Sequence, residues 1–221
     1  MADDASPGAS LCDRLRALPV FPGVLPRFDT DAAPAEPLPL LVEWLEFAIA
    51  AGVLQPHAIS LATASATGQP SNRTLLLKNV DATAVWFASL SDGPKGHDLA
   101  ENPRVALVLY WREQGRQVRI IGTAEAGPRG VSDADFLQRS PAARARAIAG
   151  RQSEPVEDFV EHLGHGTEKL ESDADFVPET WVAYRVVPGS VEFWQAERER
   201  DQVRLRYLRQ RGAWVKDILW P

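Results

Sequence analysis

The stretch HAISLATASATGQPSNRTLLLKNV, residues 57–80, decides the fold. Its two ends, HAISLATAS and RTLLLKNV, are short β-type runs, and the turn-rich ATGQPSN between them predicts a β-hairpin. Further strand-like runs follow at AVWFASL (84–90), RVALVLYW (104–111) and QVRIIGTAEA (117–126), with SDGPKGHDLAENP (91–103) reading as a loop and a short helix. Residues 131–170 turn helical through VSDADFLQRS, PAARARAIAG and EPVEDFVEHLGH, and LGHGT (163–167) is expected to break the last helix. Strands return at WVAYRVVP (181–188), SVEFWQA (190–196), VRLRYLR (203–209) and AWVKDIL (213–219). Many strands without strand–helix alternation predict a mostly β fold with flanking helices, a mainly antiparallel barrel and not a Rossmann sheet.

Upstream of the hairpin, Pro37 and Pro39 open a predicted helix with Leu41, Trp44, Leu45 and Ala48 on one face and Gly52 at its stop. Residues 1–36 are rich in Ala, Asp and Pro and lack apolar periodicity, so they read as a flexible N-terminal arm before one domain at 37–221.

Composition narrows the function classes. Hydrophobic residues make up 45% of the 221, enough for a core without disulfides or a structural metal. The net charge of −6 argues against a nucleic-acid or acidic-membrane binder, since such binding needs clustered Lys and Arg. A single cysteine, Cys12, excludes an intramolecular disulfide and a cysteine metal cluster. The acidic start MADDASPGAS does not resemble a secretory signal, and the apolar stretch from Leu38 to Val53 is too short for a bilayer and interrupted by Glu43 and Glu46. A cytoplasmic protein is expected. No G-x-G-x-x-G, P-loop or G-x-S-x-G is present, and Glu161, His162 and His165 read as a solvated helix end, not a metal site. The acidic run EKLESDADF (168–176) reads as a solvated linker.

Four segments in order, SNRTLLLK, KGHDLAENPRVALVLYW, RQV with RQSE downstream, and VEFWQ followed by RLRY and W-x-x-x-x-L-x-P, resemble the pyridoxamine 5′-phosphate oxidase family. The match runs from Leu38 to Pro221, and the joint order of the segments carries it. The resemblance implies an FMN-binding split β-barrel, a homodimer with FMN sites at the subunit interface, and use of dioxygen. It places cofactor contacts at Arg73, Thr74, Leu75, Leu76, Leu77, Lys78, Ala88, Ser89, Lys95, Gln117, Gln152, Ser153, Trp194 and Arg204. Independent chemistry agrees: a phosphomonoester needs guanidinium, ammonium and hydroxyl partners, and a flavin ring needs apolar walls with a few polar groups. One departure is Pro94-Lys95 where the family often has Arg-Lys, which removes a phosphate partner.

The vitamin B6 members hold their substrate phosphate with Lys, Tyr, Arg and Ser, and cover the pyridine ring with an Arg-x-His pair. Carried over, these positions are Lys78, Asp135, Arg139 and Ala143, then Arg200 and Gln202. Two lost phosphate contacts and one repulsion from Asp135 would cost roughly 3–5 kcal/mol, on the scale of charged hydrogen bonds. The segments AAGV…P-x-A-x-SLATASA-x-GQPS-x-R and RQSE resemble more the branch of the superfamily whose flavin oxidases aromatise dihydrophenazine carboxylic acids. That resemblance implies an FMN-dependent oxidation of a reduced, planar, dihydrophenazine-like heterocycle of secondary metabolism. Arg200 and Gln202 would position the substrate over the flavin, and Lys78 and Arg139 would attract its anionic group. Two rival readings stand beside it: a pyridoxine/pyridoxamine 5′-phosphate oxidase, and a split barrel that carries flavin or haem without turnover.

Overall fold

The computed structural model describes residues 9–21, 24–150, 152–155, 158–197 and 202–221. The hairpin opens the sheet as predicted: β1 (Ala58–Ala64) pairs antiparallel with β2 (Pro70–Leu76), Leu61 opposite Arg73. Beyond Leu77 and Lys78 the chain resumes as β3 (Asn79–Val80), which pairs with β4 (Val85–Leu90). Next come α3 (Pro94–Glu101), β5 (Arg104–Trp111) and β6 (Arg116–Ala126), the helix numbers α1 and α2 belonging to Leu11–Ala17 and Pro37–Ala50. Helices α4 (Arg129–Leu137), α5 (Pro141–Ala149) and α6 (Phe159–Ser172) precede β7 (Trp181–Ala196), β8 (Gln202–Gln210) and β9 (Ala213–Ile218).

The strand order is β2-β1-β5-β6-β7-β4-β3, every pairing antiparallel, with β8 and β9 continuing from β7. Because β3 continues β2, the two ends of this path meet. The Lys78 N–H donates to the Trp86 carbonyl at 2.7 Å and the Leu77 N–H to His57 at 2.8 Å, closing the sheet into a barrel. Closure gives each inward residue apolar neighbours all round: Ile59, Leu61, Leu107, Leu109, Val118, Ile120, Val191 and Phe193 are all buried. Helix α2 plugs the interior with Leu41, Trp44 and Ala48. Trp44 meets Phe28 at 4.9 Å and Phe193 at 5.1 Å between ring centroids, both edge-on, and the Arg116 guanidinium lies 4.2 Å over its ring.

Three expectations need correction. Helix α6 runs through LGHGT to Ser172, so part of the acidic run is helical. Gly166 faces the Ala145 carbonyl, where a Cβ would lie 2.2 Å from the oxygen, so this glycine lets α6 press against α5 and does not end it. The runs WVAYRVVP and SVEFWQA form one strand, β7. Its Pro188 falls where the β6–β7 register slips between Ile121 and Gly122, a bulge that spares the missing N–H. The segment expected as a flexible arm contains α1 with a Ser10 capping box, and it packs on the barrel farther along. Phe28 and Ala33 are buried, the Tyr207 hydroxyl donates to Pro34 O at 2.8 Å, and Lys216 Nζ donates to Ala33 O at 2.9 Å. Single anchors between prolines carry no periodicity, which is why composition alone missed them. Among the described residues, no helix is long and apolar enough to cross a membrane.

Trp44 joins α2, the Phe28 segment and the barrel floor, so Trp44→Ala should destabilise the protein by about 3–5 kcal/mol, as large aromatic truncations in packed cores do. Urea unfolding measures this; a loss under about 1 kcal/mol, the range of ordinary surface changes, would contradict the packing described.

Candidate active site

Two cations meet where β1, β2, β4 and α3 converge. Arg73, on the same rung as core residue Leu61, donates through Nη1 to Thr63 Oγ1 (2.8 Å) and Leu61 O (3.3 Å), and through Nη2 to Ser71 Oγ (2.7 Å). Thr63 in turn donates to Asp98 Oδ2 at 2.6 Å, which fixes the acceptor that orients Arg73. Lys95 lies in the first turn of α3, the helix end where peptide dipoles favour an anion. That turn sits hard against the preceding loop: a Cβ on Gly96 would come within 2.1 Å of Ser91 O, so only glycine fits. The Lys95 ammonium donates to Ser89 Oγ at 2.7 Å and to Gln152 Oε1. Burial, reinforced by Arg73 and opposed by Asp92, pushes its pKa down to about 8. Burial also lowers Arg73, against the pull of Asp98. Both of the ammonium's hydrogen-bond partners are uncharged, and its guanidinium neighbour repels it.

Beside these cations lies a cavity of about 470 Å³, lined by Leu75, Leu76, Lys78, Ala88, Ser89, Arg139, Ala143, Arg146, Gln152 and Trp181 among others. Asp135 organises its far wall. One carboxylate oxygen pairs with Lys78 Nζ at 3.0 Å, and the other accepts the Trp181 indole N–H at 3.0 Å. The Arg139 guanidinium stacks 4.3 Å over the Trp181 ring and donates to Ala143 O at 3.4 Å. Its Nε is buried without a hydrogen-bond partner, and burial lowers its pKa against the pull of Asp135.

A third group of predicted residues occupies the outer face of the opposite wall. In β7, Val191 and Phe193 point into the core, so Glu192 and Trp194 point outward. Register places Gln117, Trp194 and Arg204 on one cross-strand rung, with Arg119, Glu192 and Arg206 on the next. The Trp194 indole donates to Gln202 Oε1, and the Phe21 ring stands 5.8 Å from Trp194. Arg204 donates to Glu192 Oε1 through Nε at 2.9 Å and to Trp220 O at 2.9 Å.

The structure thus splits the predicted set. Arg73, Ser89, Lys95 and Gln152 come together, with Leu75, Leu76, Lys78, Ala88, Arg139 and Ala143 on the adjoining cavity and Asp135 behind Lys78. Thr74 is exposed, Leu77 belongs to the core, and Ser153, exposed, has a φ of 69°. Gln117, Trp194, Gln202 and Arg204 sit elsewhere: β6 is three strands from β2 in either direction round the barrel, and although β7 pairs with β4, Trp194 and its rung lie at the far end of β7 from Val182, the partner of Ser89. Arg200 lies outside the described residues. Sequence reasoning missed Thr63, Asp98, Arg146, Trp181 and Glu192. For Glu192 a signal existed, a lone acid inside the apolar run VEFW, but its arginine partners become visible only with the strand register.

Barrel, buried cation pair and polar outer rung together describe a closed antiparallel barrel with a concentrated positive charge at one corner. The two repelling cations and the orphaned Arg139 donor fit a phosphomonoester with an adjoining ring system. Comparison with known proteins identifies the family. Residues 45–162 match the family described as pyridoxamine 5′-phosphate oxidase, and residues 181–221 match the pyridoxine 5′-phosphate oxidase C-terminal dimerisation region. A pyridoxine/pyridoxamine 5′-phosphate oxidase from Bordetella petrii is 41% identical over 193 residues, 86% of this chain and 92% of that protein. One from Rubrobacter xylanophilus is 39% identical over 194 residues, 86% of this chain and 89% of that protein. The solved structure of PhzG from Burkholderia lata, in complex with tetrahydrophenazine-1-carboxylic acid, superposes with a TM-score of 0.83 at 33% identity, covering 90% of this chain and all of that one. The chain belongs to the pyridoxamine 5′-phosphate oxidase family: it is an oxidoreductase of the split-barrel type, an FMN-dependent oxidase.

Lys95 makes a prediction that needs no ligand. Its folded pKa of about 8 lies below the ordinary lysine value of 10.5, so the cost of holding it charged is full below pH 8 and fades as pH rises toward 10.5. The apoprotein should therefore gain stability between pH 8 and 10 relative to Lys95→Met, which should be the more stable protein at pH 7. Parallel urea curves for both proteins across that range would refute the burial argument.

Proposed function

We propose that this chain works as a homodimer in which each copy completes the other's FMN site, and that it oxidises an unphosphorylated, planar, reduced heterocyclic acid. The phosphate would be held by Arg73, Lys95, Ser89 and Ser153, with Gln152 steering the Lys95 ammonium. Thr74 to Lys78 and Ala88 would wall the ring system. Gln117, Trp194 and Arg204 on the opposite outer wall cannot meet the ligand of their own copy, so they would serve the site of the second. The family's dimerisation region covers β7, β8 and β9, the strands that carry Trp194 and Arg204, which supports that arrangement. When bound, FMN would supply two-electron acceptor chemistry, with dioxygen as the final oxidant and hydrogen peroxide as its reduced product.

The substrate reading rests on one observation, the ion pair between Lys78 and Asp135. A dianionic phosphate beside Asp135 would have to compete with that carboxylate for Lys78 and bear its repulsion. A single carboxylate faces less of both and can be met by Arg139, whose planar fork suits it and whose Nε lacks a partner. Ala143 offers no hydroxyl, and its carbonyl already takes one Arg139 donor. The stacked Trp181 keeps Arg139 in place along that wall. Arg200 and Gln202 would orient the ring over the cofactor, Gln202 from its bond to Trp194. PhzG, crystallised with a tetrahydrophenazine carboxylic acid, supports this class of substrate. The second reading, vitamin B6 phosphate oxidation, is favoured by the names of relatives up to 41% identical.

Turnover decides between them. Pyridoxine 5′-phosphate should be oxidised very slowly, with a KM raised by the roughly 3–5 kcal/mol of lost and repulsive contacts, about a hundredfold to a few thousandfold. Replacing Asp135→Tyr, Ala143→Ser and Gln202→His together should lower that KM. Wild-type turnover of pyridoxine 5′-phosphate at the rate of a dedicated enzyme would return the protein to the second reading.

A further inference from the structure

Glu192 is an acid in an unusual place. It belongs to the outer face of β7, yet only 5% of it is exposed, and it is flanked by arginines on both neighbouring strands. Arg119 reaches it from β6, and Arg204 from β8 brings Nε and Nη2 to the same oxygen at 2.9 and 2.8 Å. Arg206, its direct rung partner on β8, turns instead to Asp217 at 2.7 Å. Glu192 thus answers two guanidiniums with one carboxylate, and the cluster retains one net positive charge. A carboxylate this buried would be costly unless paired, and a buried charged triad is in general no better for stability than well-packed apolar residues of the same volume. The next residue along the same face is Trp194, whose rung carries Gln117 and Arg204.

We propose that Glu192 is a positioning residue that aims Arg204 along the Trp194 rung and sets the charge felt by the flavin there, so that the Arg119–Glu192–Arg204 triad tunes the reduction potential of bound FMN. This rests on the reading that the Trp194 rung faces the cofactor. The argument is electrostatic. Reduction adds electron density and negative charge to the ring, and a nearby net positive charge favours the reduced form. Two bonds from Nε and Nη2 to one oxygen lock the guanidinium plane, while Nη1 is tied to Trp220 O. With Glu192 neutral, the two arginines would carry two uncompensated charges. Removal of Arg119 alone would leave the triad neutral.

The charge count orders a set of variants. In FMN-loaded protein titrated with a reductant against a reference dye, Glu192→Gln should shift the potential upward and Arg119→Gln downward. The double variant should return to near the wild-type value. Each single shift should correspond to about a tenfold change in the affinity ratio of reduced over oxidised FMN, about 30 mV for a two-electron couple. Arg119 has a half-exposed side chain, so its variant should fold even if Glu192→Gln does not. Folded variants with potentials equal to wild type would overturn the proposal, because a merely structural triad would change melting temperature alone. Arg204→Ala and Trp194→Phe separate the two layers of the argument. If these leave the flavin spectrum and potential unchanged, the rung does not face the cofactor and the site reading itself fails. If they change both while the Glu192 and Arg119 variants do not, only the present inference is lost.

Discussion

An ammonium held out of water beside a guanidinium, with only neutral oxygens to donate to among the described residues, is the constraint that organises this molecule. Lys95 and Arg73 repel each other across the corner where the barrel closes, and burial removes the solvent that would screen them. Such a pair persists only if the surroundings hold both groups in place. Thr63 and Asp98 anchor Arg73, Ser89 and Gln152 anchor Lys95, and the missing Cβ of Gly96 lets α3 approach closely enough to bring the lysine in. These residues come from β1, β2, β4, α3 and the turn after α5. They converge because β3 continues β2 and closes the sheet. In the proposed site, that repulsion is what a bound phosphate dianion would relieve.

Strand alternation supplies the second half of the arrangement. Along β7 the residues at 191 and 193 build the core, and those at 192 and 194 are therefore presented outward. An aromatic and a charged cluster on the outside of a barrel wall make little sense for a lone chain and good sense for a face that meets a second copy. Phe21, Trp194 and Gln202 gather on that wall, while Arg73 and Lys95 meet elsewhere on the barrel. The proposed division of labour between two faces would suit a six-strand ring whose interior is already filled by side chains and helix α2.

Much of this was legible in the chain. The hairpin at 57–80 and the later strands announce themselves by short β-type runs between turn formers, and their antiparallel order follows from the scarcity of helices between them. What periodicity could not show were features set by single contacts: the docking of Phe28 on Trp44, the uninterrupted run of β7 past Pro188, and the passage of α6 through two glycines. In the site, Arg73, Lys95 and Ser89 were recoverable from motif order. Thr63, Asp98 and Glu192 were not, because each acts through a partner distant in sequence. Asp135 was expected to repel a phosphate. Its role goes further, since it also occupies Lys78, the cation that would have bound one.

The central claim, that a repelling cation pair is the seat of the cofactor's phosphate, is tested most directly by comparing FMN with riboflavin on the apoprotein. The two share a ring and differ by the phosphate alone. Loss of two charge-assisted contacts at about 1.5–3 kcal/mol each should make riboflavin bind at least a hundredfold more weakly, and Lys95→Met should narrow that gap. Equal affinities for the two ligands in wild-type protein would contradict the account.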